Sequence, residues 1–464
     1  MPIIQLIEKA FKALLPSPFT IAVLLTVLTF VLAGLLTSSE QTGVDRFWEL
    51  AGFWEQGLWN APLLVFAVQM MLMLVLGHAL ALTKPVDRLI GFATQYCTTT
   101  ARAAAIVTLL TTMVALFNWG LGLIFGAILA RKVGEHSQRN NLGINYALIG
   151  AAGYSGLMVW HGGISGSAPI KAAESGHLKS LMEASSGSTD ALPDAISFST
   201  TVFGSMNLTA TLLVLLILPA FMFLLGKKIQ RSDQQVRKNF RDFATTNDET
   251  RLIKGAEQID HWRLTSLLIG SFILIYLFRF ALIDFAVKGL GFITPNFINL
   301  LLLALCLLLH QSIATFLKAI DQAIGGASGI LIQFPLYFGI MGIMNHSGLV
   351  QHFSDFFVSI STTTTFPIFT FVSAGFVNIF VPSGGGQWGV QGPIIIQAAQ
   401  ELGVSLPKAI MALAYGDQLT NMLQPFWALP LLGITGLRAT AILPYSFALM
   451  LVGMVIYLAV LFIF

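Results

Sequence analysis

The chain has 464 residues, of which 55% are hydrophobic and only 10% charged, with a formal net charge of +3. A soluble globular domain carries ~25% charged residues, so this composition excludes one and requires lipid over much of the surface. The small net charge argues against a nucleic-acid partner, and Cys97 and Cys306 form neither a disulfide framework nor a CxxC metal pattern.

Apolar runs occur at residues 19–36, 63–82, 208–225, 264–282 and 441–464. Each approaches the ~20 residues with which a helix crosses the hydrocarbon core. They lack the alternation of membrane-barrel strands, so the predicted fold class is an all-α polytopic membrane protein. Run 19–36 is too long for the core of a secretory signal and reads as the first span. Residues 38–55 lean acidic, with Glu40, Asp45, Glu49 and Glu55. The loops 84–102, 131–140 and 227–263 are basic. By the positive-inside rule these basic loops and the N-terminus are cytoplasmic. The Trp-rich segment 47–59 reads as an interfacial helix on the outer face, and segment 312–322 as one on the cytoplasmic face.

Two apolar segments have the wrong length for a span. Residues 103–130 are bounded by Arg102 and Arg131 and carry Asn118-Trp119-Gly120-Leu121-Gly122 at their centre. The segment is long for one crossing and short for two. Basic residues at both ends predict a re-entrant hairpin that enters from the cytoplasm; a tilted single span is the alternative. Residues 363–400 repeat the pattern around Asn378 and Pro382-Ser383-Gly384-Gly385-Gly386-Gln387-Trp388, with no charged residue throughout. Proline and three glycines cannot continue a helix. Irregular backbone at membrane depth must be buried in protein or line a polar cavity.

The two halves match in order. Thr98-Thr99-Thr100 precedes the first anomaly and Thr362-Thr363-Thr364-Thr365 the second. A polar-interrupted span follows each, beginning at Tyr154 in one half and at Tyr415 in the other. Topology makes the repeats inverted: 1–226 with its hairpin near 103–130, and 296–464 with its hairpin near 363–400. A basic cytoplasmic loop, 227–263, and a connecting span, 264–295, lie between them. Inverted repeats with broken helices place a transporter's site at the repeat interface near the midplane.

Four motifs resemble a known family. They are Phe117-Asn118-Trp119-Gly120-Leu121-Gly122, Trp160-His161-Gly162-Gly163-Ile164-Ser165-Gly166-Ser167-Ala168-Pro169, Val381-Pro382-Ser383-Gly384-Gly385-Gly386-Gln387-Trp388 and Gly416-Asp417-Gln418-Leu419-Thr420-Asn421-Met422-Leu423-Gln424-Pro425. End to end, the chain resembles the bacterial short-chain fatty acid transporters of the acetoacetate and butyrate type, within the ion-transporter superfamily. The resemblance implies two re-entrant hairpins, a transport domain moving on a scaffold by an elevator mechanism, and a homodimer. The expected location is the inner membrane.

A small monocarboxylate needs donors for one carboxylate and walls for a short tail. Amides at broken helix ends can bind the carboxylate with help from the helix dipole. The candidate substrate residues are Asn118, Trp119 and Gly120 at the first tip, and Ser155, Gly156, His161 and Ser165 in the first broken span. Asn378, Ser383, Gly384, Gly385, Gly386, Gln387 and Trp388 follow in the second hairpin, and Thr420 and Asn421 in the second broken span. Trp119, Trp160, Trp388 and Trp427 are candidate tail-facing walls. No Arg or Lys lies in the predicted midplane segments, which favours a singly charged substrate.

Asp417 is the most pointed residue, because a carboxylate within a span is costly and is a functional-site candidate. With Asn118 and Asn378 it forms the candidate coupling-ion site, either as a sodium ligand or as a proton carrier. A structural carboxylate capping a broken helix is the other reading. His161 is a candidate proton relay or a satisfied core histidine, and His78, His310 and His346 receive no role. No cofactor is expected. A passive anion channel and a carrier of another small carboxylate are alternatives. An embedded enzyme is disfavoured, because HExxH and GxSxG are absent.

Overall fold

The computed structural model describes residues 16–184, 192–229, 255–288 and 292–464. Arg231, Arg237, Lys238, Arg241, Arg251 and Lys254 of the expected basic loop lie outside the described residues, as does segment 1–15 with the expected cytoplasmic N-terminus. The described elements are all helical.

The first half opens with α1 (Pro18–Leu36), α2 (Gly43–Leu58), α3 (Ala61–Ala81) and α4 (Lys84–Thr94). Then come α5 (Thr100–Phe117) and α6 (Trp119–Arg139), parted by Asn118 alone. Next, α7 (Tyr146–Tyr154) runs into two 3-10 turns, Ser155–Met158 and Trp160–Gly162. The half continues through α8 (Ser167–Ala173), α9 (His177–Ala184) and α10 (Ser205–Lys228). The chain proceeds through α11 (Glu257–His261), α12 (Arg263–Lys288), α13 (Pro295–His310), α14 (Ile313–Ala323) and α15 (Ser328–His346). It then forms α16 (Leu349–Ser359), α17 (Phe366–Phe380), α18 (Gly384–Glu401) and α19 (Leu406–Thr420). A 3-10 turn, Asn421–Leu423, interrupts before α20 (Pro425–Thr435) and α21 (Ala439–Ile463).

By length and composition, seven helices among the described residues suffice to cross a membrane. Large apolar side chains stay exposed along them, among them Phe272, Ile275 and Phe278 on α12 and Leu35 on α1. Such a stripe suits lipid and would be unstable in water.

Local chemistry sets the breaks. Asn118 is extended, and its side-chain oxygen accepts the Leu121 N–H at 3.0 Å, so it ends α5 and caps α6. Pro382 has no N–H to extend α17, and Ser383 caps α18 by accepting the Gly386 N–H at 3.2 Å. Both helix pairs fold back on themselves. In the first, a Cβ built on Gly122 would lie 2.5 Å from Ala115, and one on Gly126 would lie 2.6 Å from the Thr111 methyl. In the second, Gln387 donates to the Ala374 carbonyl at 2.8 Å near the break, and Thr363 donates to the Leu402 carbonyl at 3.1 Å at the open end.

One large apolar core joins both halves, and a smaller one packs α8 and α9 against α17–α19. The helix expected at 47–59, α2, docks directly on α15. A Cβ on Gly57 would meet the Phe338 carbonyl at 2.2 Å, and one on Gly342 the Phe53 carbonyl at 2.2 Å. Small residues permit this approach, as is common where helices meet in lipid. Phe334 on α15 stacks on Phe426 of α20 with centroids 3.9 Å apart, which ties this group to the second broken segment.

Candidate substrate and ion site

The two broken segments meet face to face. At such breaks the backbone loses its helical partners, and each lost bond must be replaced inside the protein. Tyr154 supplies the second break: its hydroxyl lies 2.7 Å from the Asn421 carbonyl and 2.9 Å from that of Gln424. Asn207 of α10 supplies the first, donating to the carbonyls of Gly162 at 2.8 Å and Val202 at 2.7 Å and accepting from the Tyr415 hydroxyl at 2.9 Å. Tyr457 donates to the Met158 carbonyl. Gln418 accepts the N–H groups of His161 at 2.9 Å and Gly162 at 3.1 Å.

Asp417 contacts His161 across this junction, Oδ2 facing Nδ1. Both are essentially fully buried, at 1% and 0% exposure. The Ala168 N–H donates to His161 Nε2 at 2.9 Å. A backbone amide can only donate, so Nε2 is the acceptor and the ring hydrogen faces Asp417. Trp160 stacks on the His161 ring with centroids 4.4 Å apart. The second hairpin covers the group: a Cβ on Gly384 would lie 2.6 Å from Trp160, 2.9 Å from Asp417 Oδ2 and 3.0 Å from His161. Only a residue without a side chain seats the α18 N-terminus there.

The amide orientations around Asp417 are fixed by their partners. Asn378 turns its nitrogen to the Asp417 carbonyl at 2.7 Å, and the same nitrogen reaches Asn421 Oδ1 at 2.7 Å and Thr420 Oγ1 at 2.9 Å. Gln424 donates to the Asn378 carbonyl, and Gln387 to the Ala374 carbonyl and to Gln391. Two sets of buried polar atoms are then left without a hydrogen-bond partner in the protein. The acceptors are Asp417 Oδ1, Asn378 Oδ1, Gln387 Oε1 and Gln424 Oε1. The donors are Gln418 Nε2, Asn421 Nδ2, Trp160 Nε1 and Trp427 Nε1. Buried polar atoms left unmatched are costly and call for an explanation. The first set has the chemistry a cation would need and the second the chemistry an anion would need. Among the described residues no group of three or more His, Cys, Asp or Glu side chains gathers as a metal cluster.

The expected residues divide by role. Ser165 accepts the Trp119 N–H at 2.9 Å, so Trp119 no longer offers that amide to a ligand. The Trp119 ring lies 6.0 Å from Trp160 and 5.4 Å from Trp427 by centroids, forming an aromatic wall. Trp388 stands apart, donating to His177 at 3.1 Å within the smaller core. Ser155 bonds back to the Ala152 carbonyl at 2.7 Å, and Gly156 lets the first turn approach Thr111 and Ala115. Gly120 packs on Met73, Gly386 on Ser383 and Met341, and Gly385 has open space. Gln418, Gln424 and Tyr154 lie within the quoted motifs and spans but, like Asn207, are not among the candidate site residues read from the sequence. Their one signal is a polar side chain inside or beside an apolar, interrupted span, which does not reveal its partner.

The sequence matches the family described as short chain fatty acid transporter over residues 3–464. It is 37% identical to a candidate short-chain fatty acid transporter of Escherichia coli (strain K12) over 449 residues, covering 96% of this chain and 95% of the relative. It is 36% identical to one of Haemophilus influenzae (strain ATCC 51907 / DSM 11121 / KW20 / Rd), covering 93% and 92%. Among solved structures, the Alcanivorax borkumensis YdaH transporter, described as having an unusual topology, aligns with a TM-score of 0.45 at 15% identity over 95% of this chain and 98% of that one. Neisseria gonorrhoeae MtrF, described within a class of antimetabolite efflux pumps, aligns at 0.43 and 13% over 98% and 97%. The family and these sequence relatives are transporters, which sets aside the enzyme reading. The chain is a multi-pass membrane protein and belongs to the short-chain fatty acid transporter family.

Proposed function

We propose that the protein is a secondary active carrier of small monocarboxylates such as butyrate or acetoacetate, coupled to a proton or a sodium ion. The observation that carries this reading is that buried donors and buried acceptors without partners both occur on the broken segments and the second helix pair that hold Asp417 and His161. An anion and a cation bound together would satisfy both sets, whereas either alone leaves one exposed to a low-dielectric interior. An ionised Asp417 repels a substrate carboxylate, and a cation on Asp417 removes that repulsion. The absence of Arg and Lys from the two breaks suits a single negative charge.

In this reading the pairs α5–α6 and α17–α18 are the re-entrant hairpins of two inverted repeats. They move with the broken segments, against α1–α3 and α12–α15, in a homodimer of the inner membrane with a cytoplasmic N-terminus. The fold-back contacts and the matched breaks support it. Uptake of labelled butyrate into proteoliposomes, with proton and sodium gradients imposed separately, tests it. Accumulation above equilibrium under one gradient is expected. Equilibration that no gradient alters would leave a passive channel, and no entry of any short monocarboxylate would end the reading.

The second tip offers a paired test. Gly384→Ala should reduce uptake about fivefold or more, because overpacking costs ~1–3 kcal/mol and pushes the tip off Trp160 and Asp417. Gly389→Ala, on the same helix with nothing within 4 Å of its Cβ position, should keep uptake within about twofold. Equal rates in the two variants would contradict the seating of the tip.

A further inference from the structure

We propose that Gln418 is a substrate-binding residue, whose Nε2, together with the indole N–H of Trp160, receives the substrate carboxylate. The assignment rests on the transport reading above and names donors within its site. Gln418 lies on α19 in the second half, beside Asp417, and is 1% exposed. Its oxygen is committed to the N–H groups of His161 and Gly162 in the first half, at 2.9 and 3.1 Å. Two backbone donors can be met only by the oxygen, so the carboxamide cannot be reversed. The nitrogen, with its hydrogens, is then held in place and has no hydrogen-bond partner in the protein.

Trp160 directly precedes His161, whose backbone N–H Gln418 accepts. Its ring stacks on His161, it is 4% exposed, and its Nε1 is also without a partner. The Trp119 ring beside it provides the apolar wall a short tail needs. Amide and indole donors carry no charge. They bind one carboxylate without the ion that would draw a second acidic group, and so they select monocarboxylates over dicarboxylates. The hairpin-tip amides, the sequence-based candidates, are in part occupied: Trp119, Leu121 and Gly386 already donate to Ser165, Asn118 and Ser383. Because Gln418 grips the first break and neighbours Asp417 in the second, a carboxylate on Nε2 would bind at the seam between the halves.

Gln418→Glu separates binding from bracing. The variant keeps an oxygen for the two amides and replaces only the donor with a second, negatively charged oxygen. In equilibrium exchange of labelled butyrate, with the same pH and sodium on both sides, KM is expected to rise about tenfold or more. A KM within about twofold of wild type, in protein of unchanged Tm, overturns the assignment and leaves Gln418 as a brace. Should Gln418→Glu fail to fold, Trp160→Phe decides. It keeps an aromatic ring in the wall while removing the N–H together with the rest of the indole, so a several-fold higher KM is expected, and an unchanged KM overturns the assignment. Unaltered variants in a functioning wild type sink this assignment alone. A wild type that exchanges no short monocarboxylate sinks the transport reading and the assignment together.

Discussion

Asp417→Asn is expected to lower gradient-driven butyrate uptake by about tenfold to a hundredfold while the protein remains folded. A buried interaction with a charged group contributes ~1.5–3 kcal/mol, and each ~1.4 kcal/mol is a factor of ten. The asparagine oxygen can still accept from His161 Nδ1, so the junction between the halves keeps a hydrogen bond. What disappears is the negative charge that would attract a cation and the oxygen that would carry a proton. Coupling should therefore fail before folding does. The measurement is accumulation under proton and sodium gradients, with Tm in detergent as the control for folding. An Asp417→Asn protein that still accumulates butyrate at the wild-type rate would return Asp417 to the role of a structural cap.

The second large effect concerns stability. Gly126→Leu is expected to abolish recoverable folded protein. Helix α6 crosses α7 at Gly126 and Gly153, where a Cβ on Gly126 would fall 2.1 Å from the Gly153 carbonyl oxygen. A Cβ on Gly153 would fall 2.4 Å from the Gly126 carbonyl oxygen. The obstacle is backbone on both sides, so no rotamer change relieves it. Separating the helices would lift the first hairpin from the segment that holds Tyr154 and His161, at a cost of at least ~3 kcal/mol. Size-exclusion profile and Tm check this. Gly389→Ala, with nothing within 4 Å of its Cβ position, is the matched control and should leave Tm nearly unchanged. A monodisperse Gly126→Leu protein of normal Tm would show that this crossing does not hold the hairpin.

Much of the helix plan was legible beforehand because it depends on properties carried within short stretches of chain. Spans show as apolar runs, since a helix in lipid must be apolar over ~20 residues. The breaks at Asn118 and at Pro382-Ser383 show because capping and proline act on their own neighbours. The motifs around Trp160, Ser383 and Asp417 also pointed to the family. The 3-10 turns at Ser155–Met158 and Asn421–Leu423 lie within the two broken spans read from the sequence.

The site itself was less legible. His161 and Asp417 were each singled out, but nothing in the chain says that they touch. Trp388 reads as a wall equal to Trp119, yet tertiary packing pairs it with His177 in the smaller core. Ser165 read as a ligand contact, yet it caps a tip amide. Gln418 is not legible as a site residue in the sequence, because a glutamine has two faces and only its partners decide which face is left for a ligand. The sequence by itself determined the membrane class, the helix breaks and the placing of Asp417 within a span, because lipid solvation and backbone chemistry act locally. The tertiary structure alone decided which polar atoms remain unmatched, because that depends on which helices face one another across the junction.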